Sequence, residues 1–485
     1  MESKGLKEIG DFIKNNKLLF VCFFIVTFFF CWQNYWQRGW DFSVYVSNGK
    51  YFFHNGEYFE VYRAPLAPFL LGIFWFFGEI GNFLYIIFVS SLFLFSSILL
   101  SDFLFEKYFK KQKITKEEVR FLFYLLMLTP FTIVYSLIEG TELLSLSFFI
   151  LFLLAFLSKK MSGHFLALSF LTRYNFMLFI PLLFFLKSIK KILKNIFSFF
   201  IVVFPWLLFN YLNYGNWFTS ILDSYYLNVY NRRELFQQFD FFSLFKVSNF
   251  YTFFLFLGLL YFCIEIYKKK NFKEFKYEFF FFFVLLFFLY DVIKTPFKIE
   301  RYMFNLSLPF AFFSLIGIVK TKKESFIKVF KVFILLIFFL SIIFLSYKIS
   351  NEKSLNDLYW EAAKKIKELN LENCKILSHH WAPLAYYMGN ARFQYLSLND
   401  SLKENKISIV FIKYPTVDDF FKIDDLKNYP ALYENENFAI IGEKENCSKR
   451  EKTDYPMLKE QCSFVSLLMK ERFQVKKICL FFNKK

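Results

Sequence analysis

Residues 83–105 read FLYIIFVSSLFLFSSILLSDFLF, and this stretch decides the class of fold. It holds one charged side chain, Asp102, close to its end. A helix of about 20 mostly apolar residues is long enough to cross the hydrocarbon core of a bilayer. A surface helix of a soluble protein would instead carry charged residues along one face. The stretch therefore predicts a membrane-spanning helix.

The same pattern recurs along the first 346 residues. The further predicted spans are 18–34, 121–136, 143–157, 164–173, 176–186, 196–212, 247–266, 279–293, 302–319 and 326–346, which makes about eleven in all. Of the 485 residues, 56% are hydrophobic, 80 are Phe and 21% are charged, whereas soluble domains are less apolar and more charged. This composition excludes a disordered protein, a collagen, a small disulfide scaffold and a purely water-soluble enzyme.

The basic surplus of the chain lies between the apolar runs. The formal net charge is +18, and a nucleic-acid protein would gather such charge on one folded surface. If the first span leaves the cytoplasm, the inner loops hold 25 Lys and Arg and the outer loops hold 10. Cytoplasmic loops carry this excess in polytopic membrane proteins. We therefore expect a protein of the cell membrane with a cytoplasmic N-terminus, and no nucleic-acid partner.

The chain divides into two predicted domains. Residues 1–346 form the transmembrane domain, and residues 347–485 form an extracytoplasmic soluble domain. The outer loops of the first domain are 35–82, 137–142, 213–246 and 291–301, with a short outer turn at 173–175. In the tail, amphipathic spacing over 354–370 and apolar character over 381–388 predict helices, while 375–378, 407–413 and 438–442 read as short strands. The tail is thus a small α/β domain, and the fold class is a mostly α polytopic bundle followed by it.

Four cysteines of the tail, Cys374, Cys447, Cys462 and Cys479, lie in the predicted outer compartment. An even number in an oxidising compartment permits disulfides, with three possible connectivities. None of them has the spacing of a zinc site.

The first outer loop carries the strongest candidates for chemistry. Asp41 and Tyr45 are one helical turn apart, and Tyr58 and Arg63 follow before a proline-rich entry to a short apolar helix at 69–77. Polar side chains at the edge of a membrane are costly, which makes them functional candidates. A lone Asp41 could merely cap a helix, but it is not alone.

Charged side chains recur in the other outer loops. The second holds Glu139 and Glu142, and the third turn holds Arg173. The later loops hold a larger set: Arg232, Arg233, Lys298, Glu300, Arg301 and Tyr302. We expect all of them to meet on one membrane face. Arginine forks match phosphate, and carboxylates act as general bases, so the set suits an anionic, lipid-tailed substrate. The alternative is that Arg and Tyr only anchor the helices at the interface.

The order of these motifs resembles the GT-C superfamily of integral-membrane glycosyltransferases, in particular protein O-mannosyltransferases and lipid A aminoarabinose transferases. The resemblance is carried by Asp41, Gly56-Glu57-Tyr58, Arg63-Ala64-Pro65-Leu66, Glu139 or Glu142, Thr172-Arg173 and Lys298-Ile299-Glu300-Arg301-Tyr302 followed by Pro309. It covers most of residues 10–350. Many relatives have Asp-Glu at the first site, whereas Phe42 follows Asp41 here, which argues against a paired-carboxylate metal site.

The resemblance implies transfer of a sugar, hexosyl or pentosyl, from a polyprenyl-phosphate donor to a hydroxyl acceptor on a glycolipid, glycan or protein. Asp41 would be the general base, with Glu139 and Glu142 as further catalytic residues that orient the cations or the sugar hydroxyls. The substrate would be bound by Tyr45, Tyr58, Arg63, Arg173, Arg232, Arg233, Lys298, Glu300, Arg301 and Tyr302. No cofactor is implied with certainty, and a divalent cation is left open.

Two other classes of function are compatible with the sequence. A lipid-linked-sugar transporter or flippase would favour broken spans and two related halves, and no such duplication is visible. A non-catalytic membrane scaffold with an outer binding domain would not explain why charged residues recur in the outer loops.

Overall fold

Helices dominate the part of the chain that the structure, a computed structural model, describes. These residues are 2–186, 188–225, 228–229, 237–269, 276–296, 298–321, 324–351, 354–372, 374, 376–378, 381–388, 408–412, 430–441 and 453–455. The helices are α1 (Glu2–Asn15), α2 (Lys17–Trp36), α3 (Trp40–Phe53), α4 (Leu66–Phe74), α5 (Ile80–Leu104), α6 (Lys116–Met127), α7 (Pro130–Tyr135), α8 (Glu142–Leu157), α9 (Gly163–Thr172), α10 (Ile189–Tyr214), α11 (Thr219–Tyr225), α12 (Leu244–Ser248), α13 (Thr252–Lys269), α14 (Lys276–Lys294), α15 (Ser307–Lys320), α16 (Glu324–Asn351), α17 (Leu355–Glu368) and α18 (Trp381–Met388).

The strands are short and belong to two sheets. They are β1 (Tyr58–Glu60), β2 (Ile376–Leu377), β3 (Ser408–Ile412), β4 (Ala431–Glu434), β5 (Phe438–Ile441) and β6 (Thr453–Tyr455). Two compact units contain these elements. We call residues 1–32 and 86–348 the membrane unit, and residues 33–85 and 349–485 the α/β unit.

Six helical stretches among the described residues are long and apolar enough to cross a membrane, and they contain α2, α5, α10, α13, α15 and α16. Shorter apolar helices include α8, α9 and a 3₁₀ helix over Tyr174–Phe185. Many large side chains on these helices are exposed, such as Phe28, Phe197 and Phe253. Such rings suit contact with lipid, where exposed apolar surface has no cost.

Helix α15 is the buried centre of the membrane unit. It packs against α13, where a side chain at Gly258 would meet the Phe313 carbonyl oxygen at 1.8 Å. Small residues allow helix backbones to approach closely in membranes. On the other side, the rings of Phe281 and Phe312 stack with centroids 3.9 Å apart.

One predicted span is interrupted. The run 121–136 divides into α6 and α7, because Thr129 caps a new helix that Pro130 begins. Proline suits the first turn of a helix and ends the preceding one. The short predicted helix at 69–77 is present as the end of α4 and a 3₁₀ turn over Trp75–Phe77.

The α/β unit joins the first loop to the tail. Its main sheet has the strand order β2-β3-β5-β4, with β2 parallel to β3 and the other neighbours antiparallel. In the second sheet, β1 from the loop pairs in parallel with β6 from the tail, and Glu60 lies opposite Tyr455. Segments that pair in this way lie on the same side of a membrane.

The core of this unit contains side chains from both parts of the chain. Val44 and Tyr58 pack in one cluster with Leu358, Leu384 and Phe438. The helices predicted at 354–370 and 381–388 are present as α17 and α18. Cys374 is disulfide-bonded, and Cys447, Cys462 and Cys479 lie outside the described residues.

Candidate functional site

In the α/β unit, one arginine joins two buried carboxylates. Arg63 Nη2 lies 2.8 Å from Asp41 Oδ1, and Arg63 Nε lies 2.9 Å from Glu60 Oε2. Asp41 stands in the first turn of α3, whose N-terminus favours negative charge. Glu60 is the last residue of β1. The predicted base and the predicted phosphate ligand therefore contact each other directly.

Glu60 is fixed in place by hydrogen bonds with several neighbouring side chains. Its backbone N–H donates to Asn48 Oδ1 at 2.9 Å, and its carbonyl accepts from Asn48 Nδ2 at 3.0 Å. The Tyr58 hydroxyl and the indole N–H of Trp381 both donate to Glu60 Oε1, the latter at 3.2 Å. Because Trp381 belongs to the tail, the tail fixes the position of this carboxylate in the first loop. Predicted substrate ligand Tyr58 is itself buried and supports Glu60.

Aromatic rings enclose the Arg63 guanidinium. Its Cζ lies 5.0 Å from the centroid of Tyr62 and 5.8 Å from that of Tyr45. Burial raises the pKa of Tyr62, and the neighbouring Glu60 raises it further. Burial lowers the pKa of Arg63, but the charge of Asp41 and the neighbouring Tyr62 and Glu60 raise it well above its ordinary value. The guanidinium is thus held as a fixed cation in a site of low dielectric constant.

In the membrane unit, the predicted Glu142 and Arg173 also form an ion pair. Glu142 is buried in the first turn of α8, and Arg173 Nη1 donates to its Oε1. The backbone N–H and hydroxyl of Thr141 donate to the second oxygen at 3.3 Å. Asp291 in α14 lies in the electrostatic field of Arg173 and accepts a hydrogen bond of 2.7 Å from Asn175.

The loop before α15 supplies a second group of predicted residues. Arg301 Nη1 lies 3.6 Å from Glu139 Oε2, which is longer than a charged hydrogen bond. Glu300 accepts from the Tyr135 hydroxyl at 3.2 Å and from the Lys246 ammonium. Tyr302 is adjacent, with its ring centroid 5.8 Å from the Arg301 guanidinium carbon.

Lys298 binds backbone carbonyl groups close to it in the chain. Its ammonium donates to the carbonyls of Val292, Ile293 and Thr295, at 3.1 and 2.7 Å for the first two. A cation in this position satisfies the last carbonyls of a helix, here those of α14. The predicted ligands Arg232 and Arg233 lie outside the described residues.

The predicted residues thus combine into acid–arginine pairs within each unit, and the expectation that all of them meet on one face stays a prediction. Within the described residues, no three or more His, Cys, Asp or Glu side chains are grouped as metal ligands.

Two acidic residues of these networks, Glu60 and Asp291, were not among the residues predicted from the sequence. Each is an acid inside an apolar run, in YFEVY for Glu60 and in FFLYDVI for Asp291. A charge in such surroundings is itself a functional signal. The same reasoning selected the charged residues of the predicted outer loops, and it could have selected Glu60 and Asp291 as well.

Comparison with known proteins supports the architecture. The crystal structure of ArnT from Cupriavidus metallidurans bound to undecaprenyl phosphate is similar, with a TM-score of 0.60 over 89% of this chain and 98% of that chain, at 9% sequence identity. No protein-family profile and no curated protein matches the sequence. The likeness confirms the expected fold class, a mostly helical membrane bundle with a small α/β part. The chain is an integral membrane protein.

Proposed function

We propose that this chain is a membrane glycosyltransferase that moves a sugar from a polyprenyl-phosphate donor to a hydroxyl acceptor. The observation that carries the proposal is the Asp41–Arg63–Glu60 cluster, on a fold shared with a protein whose crystal structure holds undecaprenyl phosphate. A carboxylate beside a fixed cation is what transfer from a phosphate-linked donor requires.

Asp41 is the general base in this proposal. It accepts the proton of the acceptor hydroxyl while the hydroxyl oxygen attacks the anomeric carbon. The bond from that carbon to the phosphate oxygen breaks, and the lipid phosphate leaves with the electron pair. Proton transfer to a positioned base contributes roughly 10²–10⁴-fold in rate.

Arg63 stabilises the charge that grows on the leaving phosphate. Preorganised cations aimed at developing charge are usually the largest catalytic effect. In the described structure the guanidinium is shared by Asp41 and Glu60. When a phosphate oxygen competes for it, Asp41 loses part of this ion pair and becomes available as a base, while the more fully bonded Glu60 keeps the arginine in place.

Arg63 also occupies the position between the two carboxylates where a divalent cation would bind. A metal ion there would have to displace the guanidinium. The chemistry proposed above uses this chain's own cation.

Within the membrane unit, taken by itself, Arg301 rather than Arg173 stays a candidate ligand for phosphate. Its distance of 3.6 Å from Glu139 exceeds that of a charged hydrogen bond, whereas Arg173 is in close contact with a nearly inaccessible Glu142. Arg173 then acts as a positioning residue, together with Asn175 and Asp291. Glu139, Glu300 and Tyr302 orient Arg301 or the sugar hydroxyls.

The proposed site faces the outside of the cell. Two observations support this: the Lys and Arg bias of the loops, and the single α/β unit that unites the first loop with the tail. The N-terminus is then cytoplasmic, and residues 347–485 are extracytoplasmic.

The test is a radiolabelled sugar-transfer assay with purified full-length protein, a mixture of polyprenyl-phosphate sugars and candidate acceptors. Asp41→Asn is expected to lose at least about 100-fold in transfer while inserting like the wild type and melting within about 4 °C of it. The matched control is Asp357→Asn, an exposed aspartate of the same unit that is expected to transfer normally. Full activity of the Asp41 variant removes it from the mechanism. If the folded wild-type protein transfers sugar from none of the donors, the proposed function is wrong.

A further inference from the structure

A second charged cluster lies in the α/β unit, built on the ring of Tyr386. The Arg38 guanidinium carbon is 3.8 Å from the centroid of this ring, and the Lys50 Nζ is 4.4 Å from it. Lys50 Nζ also lies 4.0 Å from the centroid of Trp75. Asn82 Nδ2 donates to the Tyr386 hydroxyl at 2.9 Å, which fixes the ring. Two cations therefore share one aromatic surface.

The positive charge of this cluster is not balanced by a carboxylate within the described residues, unlike that of the other described arginines. Four of the five arginines that the structure describes form ion pairs with carboxylates: Arg63, Arg120, Arg173 and Arg301. Within the described chain, neither Arg38 nor Lys50 has such a pair. Arg38 is 9% exposed, and its Nε atom is buried without a hydrogen-bond partner there. Burying a charge without a partner is costly.

The surroundings offset only part of the two charges. Lys50 Nζ donates to the Tyr386 carbonyl at 2.6 Å, in the last turn of α18, where the helix dipole favours a cation. Aromatic faces attract cations as well. Glu79 acts on Lys50 at longer range, against the repulsion from Arg38. Burial and Arg38 lower the pKa of Lys50 to about 7.

Along the chain, the cluster is adjacent to the ends of two apolar helices. Arg38 follows the end of α2, and Trp75 precedes the start of α5. The rings of Phe76 and Phe77 beside it are exposed. Trp and Tyr are enriched at this level of a membrane, where lipid phosphates lie. Lys50 is half-buried and Glu79 is exposed, so the cluster is open on that side.

We propose that Arg38 and Lys50 form a binding site for a phosphate anion, separate from the Asp41–Arg63–Glu60 cluster. The guanidinium and the ammonium are the donors, since an arginine fork and a lysine point charge both suit phosphate. The position favours the phosphate of an anionic lipid headgroup, and free phosphate would use the same donors. The proposal does not depend on sugar transfer.

The experiment measures ligand-induced stabilisation of purified full-length protein in a neutral detergent. Tryptophan fluorescence follows melting, since Trp75 and Trp381 both belong to this unit. The probes are short-chain phosphatidylglycerol, the matching diacylglycerol without phosphate, and inorganic phosphate against chloride at equal ionic strength. A ligand that binds the folded state raises its melting temperature in a saturable way.

Lys50→Met and Arg38→Met are expected to weaken binding of phosphatidylglycerol by at least about tenfold, as loss of one buried charge partner does. The matched control is Lys364→Met. Lys364 also lies over a ring, Trp360 at 5.5 Å, but it is exposed and near Glu368, so binding should be unchanged. Stabilisation by phosphatidylglycerol alone identifies a lipid phosphate, and equal stabilisation by inorganic phosphate identifies a free anion. Absence of saturable binding, or equal binding by all three variants, overturns the proposal.

A measurement on the wild type covers the case in which a variant fails to fold. Phosphatidylglycerol keeps its charge between pH 6 and 8.5, whereas Lys50 is charged below a pKa of about 7. The titratable groups that act on or contact Lys50 are Arg38, Glu79 and Tyr386, and burial raises the pKa of Tyr386, which stays neutral here. Binding should therefore be several-fold tighter at pH 6. Equal affinity at the two pH values contradicts a role for Lys50.

Discussion

Replacing Arg63 by Met tests whether one guanidinium holds two buried acids. Glu60 and Asp41 keep only 2% and 11% of their side-chain exposure beside it. Removing one partner of a buried ion pair costs about 3–5 kcal/mol, because the other charge stays buried. Arg63 itself retains 17% exposure, so we take the lower end, about 3 kcal/mol. For a unit of this size that corresponds to a fall in melting temperature of roughly 6–12 °C.

The assay is thermal melting in detergent followed by tryptophan fluorescence. Trp381 donates to Glu60, so its emission reports the site directly. Asp41→Asn alone leaves Arg63 paired with Glu60 and should cost about 1 kcal/mol or less. The triple variant Asp41→Asn, Glu60→Gln, Arg63→Met removes all three charges and should recover most of the loss, since neutral replacements of buried pairs are often tolerated. If Arg63→Met melts within about 2 °C of the wild type, or the triple variant recovers nothing, the electrostatic account of the site is wrong.

Three further predictions follow from the structure. Single cysteines placed at the exposed positions 55 and 294, in the first and last predicted outer loops, should both react with a membrane-impermeant thiol reagent added from outside intact cells. Labelling of the two from opposite sides contradicts the proposed topology. Without added anion, the wild type should gain stability relative to Lys50→Met as the pH rises from about 7 towards 10. The reason is that Lys50 still binds its proton in the unfolded chain over this range and has lost it in the folded chain. If thermal melting gives parallel pH profiles for the two proteins, Lys50 is not buried. Gly258→Ala should lower the melting temperature by several degrees more than Gly10→Ala, since an added Cβ meets the Phe313 carbonyl oxygen in the first case and nothing within 4 Å in the second.

The sequence predicts the fold class because hydrophobic length is a local signal. The apolar run 83–105 and the amphipathic spacing of 354–370 need no information from distant residues, and both helices are present. The division of 121–136 was also readable, since Thr129-Pro130 is a helix start signal within the run.

The candidate site was predicted only as a set of residues. Asp41 and Arg63 were both named, and the structure adds that they are in contact through a cluster that includes Glu60. Pairing between β1 and β6 could not be predicted, because three-residue strands carry too little pattern to specify a partner far along the chain. The hydrogen bond from Trp381 to Glu60 joins residues 321 positions apart, and no local pattern could predict it.

The pairing of β1 with β6 also fixes the order of events during biosynthesis. About 390 residues separate Glu60 from Thr453, which a ribosome needs on the order of 20–80 s to add. Until residues 453–455 have been made, the early strand has no neighbour on that edge, although Trp381 has already been synthesised and can donate to Glu60. A newly made chain therefore completes the small sheet beside its Asp41–Arg63–Glu60 cluster only after all of the described helices have been synthesised.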